Sequence, residues 1–504
     1  MGIDIGTSGT KVILIDIKGK VIATDLQEYP LYTPKPGWAE QNPDDWWNAA
    51  VKGIKNVVKG VKTSEIAAIG LSGQMHGLVA LDRNNKILRP AILWCDQRTV
   101  KQCDYITKKI GAERLKKLVY NPALTGFTAG KILWMRDNEP ALYKKINKVL
   151  LPKDYIRFKL TGIFATEVSD ASGMLLLDVK NRKWSETLLK ELKIKSSILG
   201  ECFESEKISG YVNSEAAKLT GLAYNTPVGG GGGDQSASAI GCGIVETGII
   251  SVTIGTSGVV FAFSDKIKLD KQGRIHTFCH AVNGKWHTMG VMLSAGGSLK
   301  WFKDNLCKEE IALAAKKKVD PYDIILKDLD KIPPGSDGLI FLPYLSGERS
   351  PYADPYARGV FLGLGLAHTK KHMAKAVLEG VTFGLRDTVE IMRALKIPIK
   401  EIRVTGGGAR SKLWLQMLAD IFGQEVVTVN VTEGGALGVA LLAGVGAGIY
   451  PDISAVCKKI ITTKKGAKPN KKNVKIYNRY YKLYEKTYVN LRDEFKELAG
   501  LQNR

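Results

Sequence analysis

Two identical turns stand half a chain apart. Gly6-Thr7-Ser8-Gly9 and Gly255-Thr256-Ser257-Gly258 are separated by 249 residues in a chain of 504. Each is led and followed by β-branched or aliphatic residues: Ile3-Asp4-Ile5 and Val12-Ile13-Leu14-Ile15 in the first, Val252-Thr253-Ile254 and Val259-Val260-Phe261 in the second. That pattern is strand, tight turn, strand. Glycine admits left-handed backbone, while Thr and Ser hydroxyls and turn N–H groups suit an anion such as phosphate. One such hairpin reads as an ordinary turn; two at this spacing read as loops that clamp one nucleotide from two sides. Asp4 in the first copy corresponds to Thr253 in the second. A lone carboxylate beside a phosphate loop suits Mg²⁺ held largely through water.

Three further segments carry residues fit for chemistry. Five consecutive glycines, residues 229–233, run into Asp234-Gln235-Ser236-Ala237, a loop entering a small-residue helix. Asp at a helix start is commonly an N-cap. Five glycines are costly in chain entropy, however, and imply a close approach to the backbone. A carboxylate there could take the proton of a hydroxyl as it attacks phosphorus. Gly406-Gly407-Gly408-Ala409-Arg410-Ser411 follows a strand-like segment and precedes a helical one, a structural loop or a seat for adenosine or phosphate. Gln74, Met75 and His76, at the end of an apolar strand and flanked by glycines, could line a polyol pocket. Trp94, Asp96 and Arg98 offer a second wall, or a buried Trp beside a surface ion pair. GxxxxGKS/T is absent, which excludes a P-loop, and the lack of GxGxxG counts against a dinucleotide-binding dehydrogenase.

Positioning these loops takes a large, paired scaffold. A chain of 504 residues exceeds one compact core and predicts two α/β lobes, residues 1–243 and 244–504. Helical patterns over 373–390 and 413–421 alternate with strands. Hydrophobic residues at 44% and charged residues at 24% exclude a disordered tail, a collagen-like fibre and a multi-span membrane protein. The apolar stretch 436–449 is Gly-rich and too short to span a bilayer. Seven scattered cysteines without a CxxC pair, and a start with an acid at position 4, predict neither disulfides, zinc nor a signal peptide; the expected location is cytoplasmic. The net charge of +23 raises the question of nucleic acid. Only 17 of the 73 basic residues are Arg, and residues 456–504 hold 14 basic against 4 acidic side chains. In that segment Tyr477, Tyr480, Tyr481, Tyr484 and Tyr488 recur at spacings of 3 and 4, the stripe of a helix docked on a domain. Neither nucleic acid nor membrane is expected as a partner, and a homodimer is left open.

Taken together, these segments resemble the FGGY family of carbohydrate kinases. The likeness runs along nearly the whole chain. Gly126-Phe127-Thr128-Ala129-Gly130-Lys131-Ile132-Leu133-Trp134-Met135 is similar to the family's first diagnostic segment, and residues 359–379 to its second. Gln74-Met75-His76-Gly77, Leu151-Pro152-Lys153-Asp154-Tyr155 and Leu345-Ser346-Gly347-Glu348-Arg349 look most like the members that act on xylulose. The resemblance implies two ribonuclease H-like lobes of the actin/hexokinase type, with ATP, Mg²⁺ and a small-molecule sugar in the cleft between them. It makes Asp234 the general base, with Gln235 beside it and Met75 and His76 on the ketose. Thr7, Ser8 and Lys11 would meet the phosphates from one lobe and Thr256 from the other, with Asp4 positioning Mg²⁺. Gly296, Trp301, Gly407, Gly408 and Ser411 would border the adenine nucleotide. Two departures stand out. Met1 abuts the first Gly-Ile-Asp, so the first strand is short, and Gln235 stands where members often carry Asn. The implied reaction is phosphorylation of D-xylulose at its 5-hydroxyl; gluconate, ribulose, or a nucleotide switch without sugar chemistry are the alternatives.

Overall fold

The computed structural model describes residues 1–431 and 433–502. Two sheets organise the chain. The first holds five strands in the order Gly232–Gly233, Gly70–Gly73, Gly2–Ile5, Gly9–Ile15, Val21–Glu28. The second holds seven, in the order His276–Cys279, Trp286–Met292, Gly258–Ser264, Gly248–Ile254, Ile399–Gly406, Val426–Val429, Thr463–Ala467. The repeated turn is repeated topology. Gly2–Ile5 pairs antiparallel with Gly9–Ile15 across the first turn and parallel with Gly70–Gly73. Gly248–Ile254 pairs antiparallel with Gly258–Ser264 across the second turn and parallel with Ile399–Gly406. Each turn therefore lies at one end of a central strand, beside the end of a parallel neighbour, where α/β sheets seat their ligands.

Helix Gly434–Gly446 comes from the second half of the chain but lies on the first sheet. A Cβ at Gly2 would fall 1.9 Å from the Ala436 carbonyl oxygen, and one at Gly70 equally close to that of Val439. The same helix crosses Asp234–Gly241 backbone to backbone, for a Cβ at Gly438 would fall 1.9 Å from the Ala237 carbonyl oxygen. Small residues permit this crossing, and burial along most of its length explains why the segment is apolar all round. Among the described residues no helix is long and apolar enough to cross a membrane.

The C-terminal helix Lys471–Gln502 docks by its tyrosine stripe. Tyr477, Tyr481, Tyr484 and Tyr488 are buried, while Lys475, Lys482 and Lys486 face outward. Their hydroxyls are satisfied inside: Tyr477 donates to Glu379 at 2.8 Å, Tyr481 to Asp387 at 2.7 Å and Tyr488 to Asp354 at 2.9 Å, and Tyr484 shares a 2.7 Å bond with Tyr344. These rings belong to the core and offer no stacking platform.

Candidate active site

Asp234 is the first residue of helix Asp234–Gly241, directly after the edge strand Gly232–Gly233. The glycines before it are enforced by packing. Gly231 has φ +79°, and a Cβ on it would lie 1.9 Å from the Leu71 carbonyl oxygen. At Gly230 a Cβ would lie 2.8 Å from the carbonyl oxygens of Glu204 and Ser205. At Gly233 it would meet the Met75 side chain at 2.9 Å. The close approach implied by the glycine run is thus made by the protein's own backbone and by Met75.

Asp234 shares its recess with Asp4. Burial raises the Asp234 carboxyl to about 7, the charge of Asp4 adds to this, and contacts with Gln235 oppose it. Burial likewise raises Asp4, opposed by the neighbouring Ser72 hydroxyl and Lys11. The Asp4 Oδ1 oxygen is buried and has no hydrogen-bond partner among the described residues. Gly435, at the start of the crossing helix, leaves room beside Asp4: a Cβ there would stand 3.0 Å from Oδ2. Two neighbouring carboxylates, one with an unmatched oxygen, form a hard-oxygen donor set that fits a Mg²⁺ ion keeping most of its waters. Among the described residues no group of three or more His, Cys, Asp or Glu converges as a metal cage.

Next to Asp234 lies the Met75–His76 corner. His76 is buried and holds φ +70°, uncommon for a bulky residue. Its carbonyl accepts from Thr128 Oγ1 at 3.0 Å and from Lys131 Nζ at 2.7 Å, and Lys131 also donates to Gly126 O at 2.7 Å. Burial lowers the Lys131 ammonium to about 7. The His76 Nδ1 lies 2.8 Å from the Gly173 carbonyl, so Nδ1 carries the proton and Nε2 is left as an acceptor. Burial, then Arg349 and Lys131, hold His76 well below the usual imidazole range and keep it neutral.

The first turn is tied to this corner. Thr7 Oγ1 accepts from Trp94 Nε1 at 3.0 Å and donates to Gln74 Oε1 at 3.2 Å, while Gln41 Nε2 donates to the Thr7 carbonyl at 2.7 Å. Thr7 is therefore a fixed post, and Ser8 is the exposed residue of the turn. Lys11 forms an ion pair with Glu433, at the entry to the crossing helix. Asp96 and Arg98 form a buried pair, and Asp96 accepts from Ala39 N at 2.6 Å. This pair is buried rather than at the surface, and Trp94 meets the first turn through Thr7.

Across the cleft, the second turn is latched to helix Gly296–Leu306. Gly255 O accepts from Gly296 N at 2.8 Å, and Thr256 O from Gly297 N at 2.9 Å. Gly255, Thr256, Gly296, Gly407, Gly408 and Ser411 border one cavity of about 710 Å³. Ser411 also caps helix Lys412–Phe422 by accepting from Trp414 N at 3.2 Å. Trp301 stands on the same helix as Gly296 and stacks on Phe341. Tyr322, Leu326 and Arg410 complete the cavity wall. No motif marks the first two: Tyr322 lies in the short helix Pro321–Ile325 and Leu326 at its C-terminal end, and what they face depends on the fold. Arg410 was within the glycine loop and legible there.

Residues 1–241 match the FGGY family of carbohydrate kinases, N-terminal domain, and residues 250–447 its C-terminal domain. A xylulose kinase of Lactococcus lactis subsp. lactis (strain IL1403) is 41% identical over 97% of this chain and 96% of its own. The crystal structure of a ligand-bound xylulose kinase from Lactobacillus acidophilus superimposes with a TM-score of 0.91 at 29% identity, covering 99% of each chain. A gluconate kinase from the same organism gives the same score, identity and coverage. The backbone is thus shared by kinases named for two different sugars.

Proposed function

The chain belongs to the FGGY family of carbohydrate kinases, and on that premise we propose that it transfers the γ-phosphoryl group of ATP to the 5-hydroxyl of D-xylulose. It works between two ribonuclease H-like lobes of the actin/hexokinase type, residues 1–243 and 244–504. The observation that carries this chemistry is the Asp234 carboxyl, raised to about 7 at the Met75–His76 corner. A base with that pKa is half ionised at neutral pH and still basic enough to take a hydroxyl proton.

Asp234 accepts the proton of the sugar hydroxyl as its oxygen attacks the γ-phosphorus; the P–O bond to the β-phosphate breaks, and ADP departs with that electron pair. Met75 presents an apolar wall and His76 Nε2 accepts from a sugar hydroxyl, which together hold the attacking oxygen in line. Ser8, Lys11 and Thr256 face the phosphates from the two turns, and the glycine-lined cavity takes the adenosine. Asp4 would hold Mg²⁺, which when bound neutralises charge on the phosphates.

Coupled ADP release across D-xylulose, D-ribulose, L-ribulose, gluconate and glycerol tests the reading. D-Xylulose is expected to give the highest kcat/KM. A higher value with gluconate would move the enzyme to the other sugar, and no sugar-stimulated release at all would end the kinase reading. Gly407 separates the two half-sites. A Cβ there would meet only the Ile254 carbonyl oxygen, at 3.9 Å, so the backbone accepts a side chain that fills the cavity. Gly407→Leu should raise the KM for ATP by about 10-fold or more, with the sugar KM and the melting temperature unchanged. An unchanged ATP KM would place the nucleotide elsewhere.

A further inference from the structure

Arg349 belongs to the second half of the chain. It follows Glu348 on a loop beside the second sheet, since Ser350 N donates to Val291 O at 3.0 Å. Its guanidinium nevertheless reaches the sugar corner contributed by the first half of the chain. The guanidinium carbon lies 6.0 Å from the Phe127 ring centroid, and Phe127 packs edge-on against His76 at 4.9 Å. A Cβ at Gly126 would stand 3.9 Å from Arg349 Nη2.

Its partners do not account for it. Nη2 is buried without a hydrogen-bond acceptor among the described residues. The adjacent Glu348 carboxylate is turned to backbone, accepting from Leu293 N at 3.0 Å and Arg349 N at 2.7 Å. No described carboxylate lies within ion-pair distance of the guanidinium. Burial lowers Arg349 to about 10, leaving it charged at neutral pH. A buried, charged donor without an acceptor is costly, and the cost falls when a ligand oxygen meets it.

The order of contacts tells which oxygen. A Cβ on Gly233, the residue before Asp234, would meet Met75; His76 is next in the chain and against Gly173; Phe127 packs on His76, and Arg349 lies over Phe127. The series leads by successive contacts from the residue before the base to Arg349. We propose that Arg349 is a substrate-binding residue whose Nη2–H donates to the C1–C2 ketol end of the sugar, opposite the hydroxyl that Asp234 deprotonates. His76 Nε2 supplies the acceptor and Arg349 the donor, a pairing that a hydroxyketone satisfies at adjacent oxygens. The inference rests on the sugar-kinase reading above and assigns the far end of the same pocket.

The test compares Arg349→Gln and Arg349→Lys with the parent enzyme on D-xylulose, on 1-deoxy-D-xylulose and on xylitol, which lack the C1 hydroxyl and the C2 carbonyl respectively. Arg349→Gln should raise the KM for D-xylulose by about 10- to 100-fold while the KM for ATP stays within about twofold. The parent's preference for D-xylulose over at least one analogue should collapse toward one in the variant, and Arg349→Lys should restore part of it. Equal penalties on all three sugars, or an equal rise in the ATP KM, would make Arg349 merely structural and overturn the proposal. If Arg349→Gln does not fold, the charge-retaining Lys variant carries the same comparison. Should the parent enzyme ignore D-xylulose and turn over another sugar, the substrate reading fails instead, and the KM for that sugar then reads Arg349.

Discussion

Asp234→Asn is expected to lower kcat for sugar phosphorylation by about 10²- to 10⁴-fold, with the KM for ATP within about twofold of the parent. The substitution is isosteric, and the glycine run that places the residue is held by Leu71, Ser205 and Met75 rather than by the carboxylate. What disappears is the group that takes the proton. The parent's kcat/KM for the sugar should rise about tenfold per pH unit up to about pH 7 and then level, because only the ionised carboxylate is a base. An unshifted aspartate would level near pH 4. The same group gives a stability test that needs neither nucleotide nor metal. A carboxyl raised from its ordinary 3.8 to about 7 binds its proton more tightly in the folded state. Its burial therefore costs nothing below pH 3.8, costs progressively more between 3.8 and 7, and reaches a plateau above 7. Partial solvent contact reduces that plateau to about 1–3 kcal/mol. Asp234→Asn should thus melt a few °C higher than the parent at pH 8 and no higher at pH 4. A mutant equally active, or one less stable at pH 8, would remove Asp234 from the base role.

The repeated turn was legible because its constraint is local: four residues must reverse the chain, and Gly6-Thr7-Ser8-Gly9 does so with its own atoms. The tyrosine stripe of the last helix was legible for the same reason, since spacings of 3 and 4 define a face whatever the partner. Five glycines announced a close approach, but the approaching atoms belong to Leu71, Glu204 and Ser205, and nothing near residue 231 names them. Lys11 reads as a phosphate ligand beside its turn, yet its partner Glu433 lies over 400 residues away. The crossing helix Gly434–Gly446 was legible as an apolar stretch too short for a bilayer, not as belonging on the first sheet. Composition records how much of a helix is covered, not by what. Arg349 sits within a recognisable motif, and its place beside Phe127 and His76 exists only once two halves of the chain have met.

Lys153→Met should destabilise the fold of the first lobe by about 3–5 kcal/mol, the cost of stranding buried charge. Lys153 is fully buried, as are Asp154, Glu167 and Asp170 around it. Its Nζ lies 2.7 Å from Asp154 Oδ1, 3.3 Å from Asp170 Oδ2 and 3.5 Å from Glu167 Oε1. Burial alone would lower this ammonium, but the three carboxylates overcome it and hold Lys153 above its ordinary range. Burial raises Asp170 well above the carboxylate range, against the pull of Lys153. This cluster also suspends the glycine loop. Arg157 donates to Gly229 O at 3.1 Å and also to Gly230 O; Glu167 accepts from Ser169 Oγ at 2.9 Å; and Ser169 Oγ accepts from Gly233 N at 3.1 Å, one residue before Asp234. Methionine matches the lysine stem and removes only the cation, so the first transition on heating should drop by roughly 6–10 °C. Neutralising one stranded acid as well, in Lys153→Met with Asp154→Asn, should recover part of that loss, because the two changes share one electrostatic cause. At temperatures where the single variant stays folded, its kcat should fall while the ATP KM holds, since the loop carrying Asp234 loses its support and the nucleotide cavity does not. A drop below about 2 °C, or losses in the double variant that simply add, would mean that the three carboxylates do not depend on Lys153.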